Sequence, residues 1–153
     1  ASKLEPYKEK IESSSYSIHQ ILTLASLIEQ EAVTAEDRAL VSSVFYNRLN
    51  IGMSLGSDVT TYYASKKSLS ETLSKKELTA CNGYNTRCTT MKGLPVGPIS
   101  NCSITSIEAA LNPAKSDYYY FVADINRKVY FTKNINEHNQ TIAKLKSEGK
   151  WAA

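Results

Sequence analysis

An α+β fold is what this 153-residue sequence predicts: a helix-rich single domain carrying one small antiparallel hairpin and a long Gly/Pro-rich loop. Three observations lead there. Helical spacing of apolar residues dominates the first fifty positions and returns near residues 103 and 135. The one clear pair of strands comes late, between Asp117 and Thr132. No strand–helix–strand alternation of the kind that builds a parallel sheet occurs.

Residues 1–17 are polar and Ser-rich, which predicts a frayed lead-in with a short helix around Glu5–Glu12, set apart from a domain over 18–153. The first strong helix spans Ile18 to Ala32. At about 100° per residue, Ile18, Ile21, Leu22, Ala25, Ile28 and Ala32 gather on one side. Thr34-Ala-Glu-Asp37 has the form of a helix start, and Leu40, Val41, Val44, Phe45 and Leu49 follow at helical spacing. Gly52 suits the C-terminal cap. Met53 to Tyr63 reads as extended or irregular, and the polar stretches near Glu71 and Glu77 as short helices.

Between Thr79 and Cys102 lies a loop rich in Gly, Pro and Asn, ending in Gly93-Leu-Pro-Val-Gly-Pro-Ile99. Two prolines and two glycines in seven residues fix a backbone course and leave little entropy to lose on binding. Loops of this length in compact domains are usually functional. A helix from Ser103 to Leu111 closes at Asn112-Pro113. Asp117–Asp124 and Val129–Thr132, rich in aromatic and β-branched residues, form a hairpin about Ile125–Lys128. Asn134 opens the last helix, with Ile135, His138, Ile142 and Leu145 on one face, where a histidine is more often a core residue than a catalyst.

The bulk numbers exclude several classes. An apolar fraction of 42% and a charged fraction of 22% are ordinary for a globular protein. A net charge of +3 is too small to argue for nucleic acid, and no apolar run has the length of a membrane span. Cys81, Cys88 and Cys102 fit neither a CxxC nor a zinc pattern. They predict an extracytoplasmic disulfide involving Cys88, with Cys81 or alternatively Cys102; a reduced trio is the other reading.

The chemistry starts at Glu29. It lies seven residues after Leu22, four after Ala25 and three before Ala32, so it points with the apolar stripe, whereas Glu31 falls near the opposite edge. A carboxylate on a core-facing stripe must be paired, hydrogen-bonded or protonated. Burial is expected to raise its pKa, as a general acid near neutral pH requires; a structural Glu tied to an Arg is the competing reading. Arg48, on the inner face of the second helix, is a candidate partner, although an Arg at a helix end is more often simply solvated. Tyr84, Asn85 and Thr86 offer stacking area, an amide fork and a hydroxyl, which suit a sugar. Asp58, in Ser57-Asp58, is either a second carboxylate for glycosidic chemistry or a turn cap. Phosphate loops, nucleophile elbows and HExxH are absent.

Nine segments in one order sharpen this reading: Leu24-Ala-Ser-Leu-Ile-Glu-Gln-Glu31, Val44-Phe-Tyr-Asn-Arg-Leu49, Ile51-Gly-Met-Ser-Leu55, Ser57-Asp58, Tyr84-Asn-Thr86, Gly93–Ile99, Ala109-Ala-Leu-Asn-Pro113, Tyr120-Phe-Val-Ala123 and Glu137-His-Asn139. Together they resemble the catalytic domain of the MltG/YceG family of endolytic murein transglycosylases, from Ile21 to Lys146. The resemblance implies cleavage of the β-1,4 bond between N-acetylmuramic acid and N-acetylglucosamine in nascent strands, leaving 1,6-anhydro ends. It implies one catalytic glutamate, which matches Glu29, and substrate contacts from Glu31, Arg48, Ser57, Asp58, Tyr84, Asn85 and Thr86. It also implies peptidoglycan and cell-wall synthases as partners, no metal or organic cofactor, and a site outside the bacterial cytoplasmic membrane with an anchor not contained in this sequence. Val59, Arg87, Val96, Cys102 and Val129 depart from the family pattern. A non-catalytic peptidoglycan-binding module and a hydrolytic muramidase using Glu29 with Asp58 are the competing functions.

Overall fold

The computed structural model describes residues 2–56, 94–95, 97–99 and 101–151. Among them the chain forms a 3-10 turn (Ser2–Tyr7), α1 (Lys8–Ser13), α2 (Ile18–Glu31), α3 (Ala35–Asn50), α4 (Ile104–Leu111), β1 (Tyr120–Ala123), β2 (Val129–Thr132) and α5 (Ile135–Ser147). The fold is the helix-rich α+β expected. Ser57, Asp58, Cys81, Tyr84, Asn85, Thr86 and Cys88 lie outside the described residues, as do the short helices expected near Glu71 and Glu77.

Helix α2 is the centre of the core. Ser17 and Gln20 open it with a reciprocal cap, side chain to backbone in both directions. From Ile21 to Ile28 all but Leu22 are buried, so α2 is covered on nearly every side. Ile18, expected on the stripe, is 46% exposed, and His19 and Gln20 of the same turn are exposed with it. Helix α3 starts on the Thr34 cap and buries Val41, Val44 and Phe45. Helix α4 lies across both. Beside buried Ile107, its inner residues Ser106, Ala109 and Ala110 are small, which lets its backbone approach closely. The described part of the lead-in is not frayed: Leu4, Ile11 and Tyr16 pack on the core, and the Tyr7 hydroxyl donates to the Glu108 carboxylate on α4.

The chain returns along α3 before the hairpin. Asn47 Nδ2 donates to the carbonyls of Ser116 and Tyr118 (2.9 Å each), and Arg48 Nε to that of Tyr119 (2.6 Å). These side chains take the carbonyls a ladder would use, so β1 begins at Tyr120 rather than Asp117. Strands β1 and β2 pair antiparallel, Tyr120 opposite Thr132 and Ala123 opposite Val129. Phe121 meets Phe45 edge-on at 5.7 Å and so joins the hairpin to the core. Helix α5 covers the strands, burying Leu145 and setting His138 against the Tyr120 ring at 5.2 Å.

The hairpin turn is built around buried Asp124. Its Oδ1 accepts from the amides of Asn126 (2.8 Å) and Lys128 (3.0 Å), and its Oδ2 from the Tyr130 hydroxyl (3.1 Å). Arg127 closes the turn at φ 64°, the left-handed position that such three-residue loops reserve for glycine. An L side chain there costs about 1–2 kcal/mol.

Candidate active site

Glu29 lies in the last turn of α2, at the point where α4 begins. Oε1 accepts from the Ser103 amide (2.7 Å) and the Ser106 hydroxyl (2.9 Å), and Oε2 from Arg38 Nη2 (2.8 Å). Ser103 is the N-cap of α4, so the carboxylate faces unsatisfied amides and the positive end of that helix. Arg38, with 12% of its side chain exposed, also donates to the Ala32 carbonyl and the Ser103 hydroxyl (3.0 Å each). One guanidinium thereby locks the carboxylate, the end of α2 and the cap of α4 together. The Glu29 side chain retains 22% exposure, open to an approaching ligand.

These contacts correct two expectations. The arginine beside Glu29 is Arg38, not Arg48. Arg48 Nη1 donates to the carbonyls of Ser54 and Leu55 (3.0 Å each), and its guanidinium lies 4.9 Å from the centre of the Tyr120 ring. With the Tyr119 bond it ties α3, residues 54–55 and β1 together. Gly56, at φ 65°, sits so close that a Cβ there would lie 2.9 Å from Arg48 Nη1.

The second correction concerns charge. Burial pushes the Glu29 pKa up, but the Ser103 amide and hydroxyl, the Ser106 hydroxyl and Arg38 outweigh it and hold the group below its ordinary 4.5. The resting side chain is a carboxylate at neutral pH.

The Pro-rich loop reaches the same face of α2. The Ile99 amide donates to the hydroxyl of buried Ser26 (3.1 Å), one turn before Glu29. From there the chain borders an open hollow of about 450 Å³, lined by Leu22, Pro98, Asn101, Cys102, Ser103 and Ile107 among others. Its walls are mostly apolar, and it ends at the residue whose amide holds Glu29. Cys102 in this hollow is a free thiol, which removes it as the alternative disulfide partner. Burial and then the negative charge of Glu29 push its pKa up. Glu31 is half-buried at the end of α2.

Sequence reasoning missed Arg38, Ser103 and Ser106. The helix start at Ser103 was visible, and a helix start is an anion site in waiting. Its meeting with Glu29 depends on how α4 crosses α2, which no local pattern encodes.

The sequence profile of the YceG-like family matches residues 1–144. The chain belongs to the YceG-like family. Among relatives of this YceG-like chain, the endolytic murein transglycosylase of Bacillus subtilis is 46% identical over 139 residues, covering 91% of this chain and 38% of that protein. The endolytic murein transglycosylase of Streptococcus pneumoniae D39 is 39% identical over 146 residues, covering 92% and 26%. The crystal structure of a yceG-like protein from Listeria monocytogenes superposes with a TM-score of 0.81 at 44% identity, covering 91% of this chain and 44% of that one. The YceG-like chain thus spans less than half the length of each of these relatives.

Proposed function

We propose that this domain is a lytic transglycosylase that cuts the N-acetylmuramic acid–β-1,4–N-acetylglucosamine bond within peptidoglycan strands, with Glu29 as acid and then base. The carrying observation is the carboxylate itself: part-exposed, held by three donors, one of them the amide of Ser103, which lines an open hollow. The names of the relatives support the substrate class.

The donors fit an acid that must also be a base. As Glu29 gives its proton to the leaving oxygen, negative charge develops on its carboxyl, and the Ser103 amide, Ser106 hydroxyl and Arg38 already point at it. They make the protonated form a strong acid. The cost is that few resting molecules carry the proton, and a sugar that displaces water from the exposed edge raises that fraction by desolvation. The regenerated carboxylate then takes the proton of the muramoyl 6-hydroxyl, which closes on its own anomeric carbon. That nucleophile is intramolecular, so its effective molarity is large and no second carboxylate is needed to activate water.

Tyr84, Asn85 and Thr86 complete the proposal as sugar contacts, with Glu31, Arg48, Ser57 and Asp58 lining the strand's path. The place of action is the outer face of the bacterial cytoplasmic membrane, beside cell-wall synthases. Digestion of isolated peptidoglycan followed by mass spectrometry tests the reading. Anhydro ends are expected. Reducing ends would make the protein a hydrolase, and intact strands a binding module.

A further inference from the structure

Ser26 places a hydroxyl on the most deeply buried stretch of α2, among Leu24, Ala25, Leu27 and Ile28, and is itself fully buried. An alanine there would avoid the cost of desolvating the hydroxyl. The bond it donates to the Thr23 carbonyl (2.7 Å) lies within its own helix and gains little. Its use lies outside the helix. The hydroxyl accepts from the Ile99 amide (3.1 Å), at the end of the Pro-rich loop. Four residues further on, the Ser103 amide donates to Glu29 (2.7 Å), one helical turn beyond Ser26 on α2. The chain from Ile99 to Ser103 is thus fastened to α2 at two points, and Asn101 and Cys102 between them line the hollow.

The two fastenings differ in kind. The bond at Glu29 is charge-assisted and weakens when that carboxyl takes up a proton, whereas the bond at Ser26 joins neutral groups and does not change. Arg38 also holds the Ser103 hydroxyl, but it is itself paired with Glu29, so that hold answers to the same proton. Ser103 is the N-cap of α4, and an N-cap amide is tied by no bond within its helix. The aim of that amide is set by the chain before it. A glutamate that is acid and then base passes through both charge states in every turnover. We propose that Ser26 is a positioning residue, whose hydroxyl holds the chain from Ile99 so that the Ser103 amide keeps its aim at Glu29 through the change of protonation. This rests on the acid–base role proposed above for Glu29, but the bond assigned to Ser26 can be tested without substrate.

Amide hydrogen exchange followed by NMR on the unaltered protein is the first measurement. As pH falls through the Glu29 midpoint, the protection factor of the Ser103 amide should drop while that of Ile99 holds. Loss of both together would overturn the assignment. In Ser26→Ala the Ile99 amide should lose protection. The Glu29 carboxyl should then titrate at higher pH than in the wild type, because the Ser103 donors that depress it are less well aimed. On peptidoglycan kcat should fall about fivefold, the worth of one neutral hydrogen bond, with KM little moved. Ser42→Ala is the control: it removes a buried hydroxyl on α3 that has no hydrogen-bond partner among the described residues, and should move neither titration nor kcat. An unmoved Glu29 titration or an unmoved kcat in Ser26→Ala, whatever its melting temperature, would make Ser26 a packing residue alone. Should the wild type leave peptidoglycan intact, the transglycosylase reading fails on its own, and exchange and titration still decide Ser26.

Discussion

Replacing Arg38 by Met separates the structural and chemical duties of the Glu29 cluster. The methionine fills much of the space but removes three bonds at 2.8–3.0 Å and the positive charge. Breaking a fully buried pair costs about 3–5 kcal/mol. Glu29 keeps 22% exposure and two further donors, so the low end applies, about 2–3 kcal/mol after that relief. For a domain of this size that is a fall of roughly 5–10 °C in Tm at pH 7. The sign with pH follows from the lowered pKa. Glu29 contributes stability fully above its ordinary 4.5, and that contribution is lost as pH falls through the lower folded value. The Tm gap between wild type and Arg38→Met should therefore be widest at neutral pH and narrow below pH 4.5. Activity should move oppositely to intuition. A general acid loses function as pH rises through its pKa, and without Arg38 that pKa rises, so the alkaline limb of kcat/KM should shift to higher pH. Scanning calorimetry across pH and a turnover profile on peptidoglycan are the two measurements. Equal melting at pH 7, a gap that persists in acid, or an unmoved alkaline limb would refute the reasoning.

Glu29→Gln keeps the shape and removes the transferable proton, so cleavage should fall by about 10²-fold or more while the fold persists; circular dichroism with product analysis checks both. Glu31→Gln should cost far less, and the reverse order would exchange their roles. Gly56→Ala forces an L residue to φ 65° and a Cβ to 2.9 Å from Arg48 Nη1, which predicts destabilisation of about 1–3 kcal/mol, read by urea unfolding. Cys102 should alkylate slowly with iodoacetamide, and faster in Glu29→Gln, because the charge that raises its pKa is gone; equal rates would mean that Glu29 does not act on this thiol. Under oxidising conditions, non-reducing peptide mapping should find Cys81 bonded to Cys88 with Cys102 free.

What was legible in the sequence is what local physics writes there. Thr34, Ser103 and Asn134 cap the helices whose starts were read there, because a side-chain oxygen within three residues of an unsatisfied amide is a local event. The placing of Glu29 on the inner face was equally local, since it needs only the helix period. Its electrostatics were not. Burial was the one influence on its pKa readable from the stripe, and by itself it points upward. Ser103, Ser106 and Arg38 reverse that direction, and two of them come from more than seventy residues away. Arg48 shows the same limit from the other side: its inward aim was visible, but the backbone carbonyls it serves belong to segments whose courses are set by tertiary packing. The reversal changes how the acid is understood. A site that merely raised the pKa of Glu29 would hold the proton well and release it poorly. One that stabilises the carboxylate favours the charge developing in the first step and delivers a relaxed, oriented base for the second. On the mechanism proposed above, a pKa held below the ordinary 4.5 is the expected state of a single glutamate serving both steps, with protonation left to the moment a glycan covers it.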